Sequence, residues 1–427
     1  MTAYIGLDFG TTNSALAIAG PEGAAQLIPL TGPQGALDVC RSILFFERGR
    51  RPSDLEVSVG AQAVHRYVET GGEGRLIQSI KSHLASNLFS ETLIINKRYD
   101  LPHLIGLFIR QLRGLTDMDL GDRIVVGRPV RYWGAKSEEE ERLALDRMRE
   151  ALALAGFDEV VFEYEPVAAA LKYGSGLSEE ELVLIADFGG GTTDFSLIRV
   201  GPGVDPEDPD SILGNGGVGI GGDTFDGRII HEAVAPHLGF GSEYSTPYGK
   251  RLPVPAWIYG NLERWHHLSF LRSKDTLRLL REIATGSDDP DQIEALITLV
   301  DENLGHPLHQ AVERTKVNLS RADETEFRFN LPPLDLRAAV QQRAFDRWIQ
   351  PDLAEVDEVI TDLFDRAGVS PDEVSRVFTT GGSSLVPSVQ QMLARRFGAE
   401  RLAGGGELTS VATGLAIRAR ARFKGAA

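Results

Sequence analysis

The sequence predicts an α/β protein built from two related halves. A strand ending in an acid, a turn of small residues and a returning strand follow one another at the N-terminus, as Tyr4 to Asp8, Gly10 to Asn13 and Ala15 to Ala19. This is a hairpin pattern. The same order returns as Leu182 to Asp187, Phe188 to Thr193 and Phe195 to Val200, in the contexts D-F-G-T-T-N-S and D-F-G-G-G-T-T-D-F-S. Such an internal repeat points to two half-molecules facing each other. Between the copies, strand and helix patterns alternate, the signature of an α/β layer architecture.

The elements follow in order. Ile124 to Val126 reads as a short buried strand closed by Gly127 and Pro129. Ser137 caps a helix whose first turn holds Glu138 to Glu141, carries an apolar stripe of Leu143, Met148, Leu152 and Ala155, and stops at Gly156. Val160 to Phe162 is a strand, and Val167 to Tyr173 is helical after Pro166. Gly201 to Pro209 reads as an exposed loop, the chain turns helical after Gly221, and Gly239 to Asp301 reads as irregular. Helices are expected at Pro307 to Ser320, Asp352 to Ala367, Val386 to Phe397 and Val411 to Phe423, with a strand at Arg376 to Thr380 before the turn Gly381-Gly382-Ser383.

Composition narrows the function classes. The chain has 427 residues, 42% of them hydrophobic and 25% charged, enough for a large core and more than one domain. With 44 Lys and Arg against 61 Asp and Glu, the net charge of −17 argues against nucleic acid and membrane surfaces as partners. Cys40 is the only cysteine, which excludes an intramolecular disulfide and a multi-cysteine metal cage. Met1 leads directly into a strand without a basic and apolar leader, so the expected location is cytoplasmic.

The two turns carry the chemistry. Gly10, Thr11, Thr12 and Asn13 form one; Gly189, Gly190, Gly191, Thr192 and Thr193 form the other. Glycine permits the backbone concavity that aims several N–H groups and hydroxyls at a phosphate. Asp8 and Asp187 precede the turns and Asp194 follows the second, and carboxylates so placed hold Mg²⁺ through water. Two phosphate clamps and a metal suit a nucleoside triphosphate. A glycine hairpin alone carries little weight, but two copies and the Gly-Gly-Ser turn at Gly381 are hard to produce by turn chemistry.

Ile5 to Ser14, Ile185 to Phe195 and Thr380 to Pro387 resemble the phosphate and adenosine motifs of the actin/Hsp70/sugar-kinase superfamily. Within it, Glu165 to Ala170 with Tyr173-Gly174, the run Gly221-Gly222-Asp223-Thr224-Phe225-Asp226, and Glu313 to Lys316 with Leu319-Ser320 resemble Hsp70 segments in the same order. The resemblance covers essentially the whole chain. It is closest to the nucleotide-binding domain of Hsp70, and in length to the YegD-type proteins that lack a substrate-binding domain.

It implies a duplicated ribonuclease-H-like, actin-like ATPase fold of two lobes with ATP or ADP, Mg²⁺ and a candidate K⁺ in the cleft between them. Lobe I would span 1–186 with 405–427 returning to it and an outer part at about 41–119; lobe II would span 187–404 with an outer part at about 232–344. It implies slow ATP hydrolysis through Lys81 at the γ-phosphate, Glu165 and Asp187 positioning water and metal, and Thr192 with Asp194 completing the site. Glu313, Lys316 and Ser320 would reach ribose and base; Gly221, Gly222, Gly381, Gly382 and Ser383 would approach the nucleotide. Without the family, Lys81 reads as a surface lysine and Glu313–Lys316 as a surface ion pair.

The chain departs from the family where two arginines usually sandwich adenine: Val317 and Leu385 align there. Loss of such cation–π contacts, about 0.5–2 kcal/mol each, implies weaker nucleotide binding. Pro129 resembles the family's switch proline, with Arg142 and Arg147 both near its expected arginine partner. The histidines at 266, 267, 306 and 309 and the tryptophans at 257 and 265 complete no metal pattern. A nucleotide-gated scaffold and a metabolite kinase remain alternatives, and an unknown protein partner or client is expected on the segment 240–300.

Overall fold

The computed structural model describes residues 4–424 apart from 23, 34, 50–53, 71–72, 88–90, 175–176, 205–208, 247, 265–266, 268–270, 303 and 405–409. The chain divides into two compact units, one of Met1–Gly221, Val356–Ser384 and Gln390–Ala427, the other of Gly222–Glu355 and Leu385–Val389. The expected lobe boundary at 186/187 falls inside the first unit, within the strand Glu181–Phe188.

Those sheets share one plan. In the first, Tyr4–Phe9 is central, flanked by the antiparallel Asn13–Ala19 and then Ala25–Leu27 on one side. On its other side lie the parallel strands Arg123–Arg128 and Glu159–Tyr164. In the second, Glu181–Phe188 is central, with antiparallel Thr193–Val200 and Ile212–Val218 on one side and parallel Arg376–Thr380 and Leu402–Gly404 on the other. The repeat read from the sequence is thus a repeat of topology: a hairpin begins each sheet, and its turn follows the acid.

Alternation along the strands sets which face goes where. Ile5, Leu7, Phe9, Leu16, Ile124 and Val126 face a core shared with Phe108 and Met148. Tyr4, Ala15, Ala17, Ala19 and Val125 face a second core together with Val183 and Ile185 of the other sheet. Two helices supply that second core, Glu165–Gly174 and Ser410–Phe423, with Ala168, Ala169, Ala170, Ala412 and Ala416 buried. Small residues let them cross closely: a Cβ added at Gly414 would lie 1.7 Å from the Ala168 carbonyl oxygen.

Other expected elements hold with shifted ends. Ser137 accepts from the Glu140 N–H at the start of Glu138–Leu154, and Gly156, at φ +88°, closes it. The buried stripe of this helix runs through Ala144, Met148, Ala151 and Leu152; Leu143 sits beside it rather than in it. The helix expected from Asp352 begins ten residues earlier and runs Gln342–Ala367, with Pro351 inside it. Proline normally marks a helix start or break, and that signal misplaced the boundary.

The second unit corrects a larger expectation. Gly239 to Asp301 is not irregular: it holds a hairpin of Glu243–Ser245 with Arg251–Pro253 and the helices Ala256–Leu262, Lys274–Gly286 and Pro290–Asp301. Ser273 caps the second helix by accepting from the Thr276 N–H, and Pro290 opens the third. Buried Leu280, Ile283, Ile293, Leu296, Ile297 and Val300 form their apolar faces. This periodicity was legible, but the glycines, prolines and tryptophans before it drew the reading toward a loop. The unit also holds Gly222–Ile229, Gly305–Leu319 and the hairpin of Glu324–Leu331 with Leu334–Gln341.

Gly414→Ala drives a methyl into backbone, and overpacking of this kind costs about 1–3 kcal/mol or more. Gly260, inside Ala256–Leu262, has no atom within 4 Å of an added Cβ. Thermal unfolding followed by circular dichroism is expected to show Gly414→Ala melting several degrees below the parent and Gly260→Ala at or above it. Equal melting of the two variants would contradict the packing described here.

Candidate functional site

The first turn is pinned from a distance. The Ser42 hydroxyl donates to the Gly10 carbonyl oxygen at 2.7 Å, lies 2.9 Å from the Ser14 hydroxyl, and the Ser42 N–H donates to the Thr12 carbonyl oxygen at 2.9 Å. These bonds fix Gly10, Thr11, Thr12 and the first residue of the return strand, Asn13. No local pattern announced Ser42, since it meets the turn only through the fold.

The second turn closes on itself, the Gly189 N–H donating to the Thr192 carbonyl oxygen at 2.9 Å. Asp187 and Asp194 face each other in register across its strands. Thr380 donates to Asp187 Oδ1 at 2.7 Å, and the Thr192 hydroxyl donates to Asp194 Oδ2 at 2.8 Å. The Val130 N–H donates to Asp194 Oδ1 at 3.0 Å. A Cβ at Gly191 would lie 3.5 Å from the Thr11 hydroxyl and 3.9 Å from that of Ser82, so the two turns meet.

Glycine is required around this turn. A Cβ at Gly221 would lie 2.5 Å from the Gly190 carbonyl oxygen, and one at Gly381, where φ is +79°, 2.2 Å from that of Phe188. The Thr193 hydroxyl donates to the Ile220 carbonyl oxygen at 2.7 Å, which ties the Gly221 segment to the turn. Ser383 reaches the Gly189 carbonyl oxygen at 3.4 Å, while Gly382 opens onto free space.

Lys81 is no surface lysine. It lies in the short helix Ile80–His83, buried, with Nζ 2.5 Å from Glu165 Oε1. Burial disfavours its charge, but Glu165 and Asp8 outweigh burial and hold it protonated. The acids are in the opposite position. Burial, then Glu165 and Asp187, push Asp8 up to about 8 despite the opposing Lys81; burial and Glu165 push Asp187 up to about 6. Burial, Glu165 and Asp187 hold Asp194 well above the usual carboxylate range. Asp8, Glu165, Asp187 and Asp194 thus share one ammonium, a donor set that favours an added cation. Among the described residues no three His, Cys, Asp or Glu side chains stand close enough to ligate a metal directly.

The residues carried over for ribose and base lie in the second unit. Lys316, on Gly305–Leu319, donates to the Gly222 carbonyl oxygen and to Asp226 Oδ2, both at 3.0 Å. Lys316 is thus ion-paired with Asp226, a partner that spacing along the helix did not suggest. Ser320 ends the same helix, its hydroxyl 3.4 Å from the Lys316 carbonyl oxygen. Val317 and Leu385 are exposed, at 47% and 53%.

Near Pro129 neither expected arrangement is simple. Arg128 donates to the Pro129 carbonyl oxygen at 3.2 Å, whereas Arg147 donates to the carbonyl oxygens of His83, Leu84 and Ser86 just after Lys81. His309 Nε2–H donates to the Leu262 carbonyl oxygen, 2.9 Å away, and burial lowers the pKa of the ring to about 4. Trp265 and His266 lie outside the described residues. Sequence reading missed Ser42, Thr380 and the segment at Val130; only Thr380, directly before Gly381-Gly382, had a local signal.

A fold in which one five-strand plan is duplicated, each copy opening with an acid and a phosphate-type turn, is that of the actin-like ATPases. The Hsp70 protein family model matches residues 75–238 and 296–424. The chain belongs to the Hsp70 family. It is 27% identical over 425 residues to the chaperone protein DnaK of Thermosipho melanesiensis, and 26% identical over 426 residues to that of Thermotoga maritima. These alignments cover 97% of this chain but only 58% and 59% of the relatives.

A carboxyl whose folded pKa is raised stabilises the fold fully below its unfolded value, about 3.9 for aspartate, and loses that contribution as pH rises through the folded value. For Asp8 the loss extends up to about pH 8. In EDTA, Asp8→Asn is therefore expected to gain melting temperature relative to the parent progressively from pH 5 to 8.5, and Mg²⁺ should shrink the gain. A difference independent of pH would show that burial and the neighbouring acids do not raise Asp8 as described.

Proposed function

We propose that this protein binds Mg-ATP and hydrolyses it slowly, using nucleotide state to open and close two lobes in a chaperone-type role. The observation that carries the reading is the Lys81–Glu165 pair set among Asp8, Asp187 and Asp194 where the two phosphate-type turns meet. Membership of the Hsp70 family and similarity to DnaK chaperones support it. Among the described residues no helix is long and apolar enough to cross a membrane.

The residues divide the work by charge. Backbone N–H groups of Gly10 to Thr12 and Gly189 to Gly191 would bind phosphate oxygens, with Asp8, Asp187 and Asp194 holding Mg²⁺ through water. When bound, the metal neutralises phosphate charge. Glu165, adjacent to Lys81, would orient the attacking water; Lys81 would donate to the oxygen on which charge grows. Thr192 holds Asp194 in place. Glu313, Lys316, Ser320, Gly381, Gly382 and Ser383 would serve the nucleoside, with Val317 and Leu385 giving an apolar base contact and micromolar or weaker affinity.

A protein partner is proposed on the segment 240–300, most of which falls in the gap between the two stretches that the family model matches, and where Trp257 is half-exposed and Tyr248 fully exposed. Recovery of partners with and without ATP is expected to lose its ATP-dependent component in a Tyr248→Ala, Trp257→Ala double variant. Unchanged recovery would rule out that surface.

Turn and metal contacts act on ground and transition states alike, whereas a lysine aimed at the transferring phosphoryl group acts as charge moves. Losing such a donor costs about 10²–10³ in rate. Lys81→Ala is therefore expected to lower single-turnover ATP hydrolysis by about that factor while calorimetry shows ADP affinity nearly retained. Hydrolysis at the parent rate would remove Lys81 from the mechanism, and equal binding of GTP and ATP would count against the adenosine assignment.

A further inference from the structure

After the strand Arg123–Arg128 the chain passes the acid cluster as a short strap, Arg128 to Tyr132, before the helix Glu138–Leu154 begins. The strap touches the site at one point and approaches it at another. The Val130 N–H donates to Asp194 Oδ1 at 3.0 Å, and Tyr132, buried at 3% exposure, lies within electrostatic reach of Lys81 and Glu165. Backbone alone does not hold it there.

One carboxylate of the following helix ties both its ends. Glu141 Oε1 accepts from the Tyr132 N–H at 2.8 Å, and Oε2 accepts from Arg128 Nη2 at 3.0 Å. Arg128 is held further by its own bond to the Pro129 carbonyl oxygen and by the rings of Tyr164 and Tyr132, 4.8 and 5.7 Å from the guanidinium carbon. The pair is mostly shielded, Arg128 being 15% and Glu141 21% exposed, where charge-assisted bonds are strong and directional.

We propose that Glu141 and Arg128 are positioning residues whose ion pair clamps the 128–132 strap, keeping the Val130 N–H on Asp194. The kinetic consequence rests on the ATP hydrolysis proposed above; the clamp itself does not. A displacement of about 1 Å at a catalytic group can cost about 10²-fold in rate. Loss of the clamp should thus slow the chemical step without removing any group that binds phosphate.

The test uses the full chain with Glu141→Ala and Glu141→Gln, the latter keeping an acceptor for Tyr132 but no charge for Arg128. Amide hydrogen exchange in nucleotide-free protein, read by NMR, is expected to show both Val130 and Tyr132 protected in the parent. Both should exchange at least about tenfold faster in Glu141→Ala, with Glu141→Gln between. Single-turnover ATP hydrolysis should fall about tenfold or more in Glu141→Ala, with ADP affinity within about threefold. A merely structural role would lower stability and binding together. If the Val130 amide keeps its protection when that of Tyr132 is lost, or if the variant hydrolyses ATP at the parent rate, the clamp is wrong. If the parent hydrolyses no ATP, the ATPase reading fails and the exchange result alone decides the clamp.

Discussion

Four carboxyl groups and one buried ammonium share the place where two hairpin turns meet, and the rest of the first unit is arranged to hold them there against their repulsion. Asp8 and Asp187 each stand near the end of a central strand, Asp194 faces Asp187 across a hairpin, and Glu165 opens a helix that both sheets bury. Left to themselves these groups would spread or take up protons: burial first, and the neighbouring carboxylates after it, push the three aspartates upward. Lys81 offsets part of it. A divalent cation would offset the remainder and let a polyphosphate enter the backbone concavities.

Duplication makes the arrangement economical. A single hairpin turn with glycines offers one concavity; two copies of the same sheet plan, packed on a common layer of alanine-rich helices, bring two concavities and two strand-end acids to one point. Close packing of that layer matters because helix positions fix sheet positions. Gly414 against Ala168, and Ala412 and Ala416 beside it, set how near the sheets come, and so how near Asp8 comes to Asp187. Sequence, packing and electrostatics meet at this layer.

What the residues announced locally was legible: the paired turns, their acids, the capped helix at Ser137 and the Gly381 turn all follow from residue type and spacing. Long-range pairings were not. Ser42 holds Gly10 from 32 positions away, and Lys81 meets Glu165 from 84 positions away, so a family resemblance was needed to pick out that lysine. Between Gly239 and Asp301 the opposite happened, helical periodicity at Leu280 to Val300 being masked by the breakers and aromatics before it. At Pro351, a residue that usually opens or breaks a helix lies within one.

The proposed function makes the acid cluster and the two turns one site that takes up polyphosphate only together with a cation. The most direct measurement is a calorimetric titration of the protein with ATP in Mg²⁺ and again in excess EDTA. The account predicts saturable one-to-one binding in Mg²⁺ and a loss of at least about tenfold in affinity without it, because the unscreened carboxylates then repel the phosphates. Equal affinity in the two solutions, or no binding in either, would contradict it.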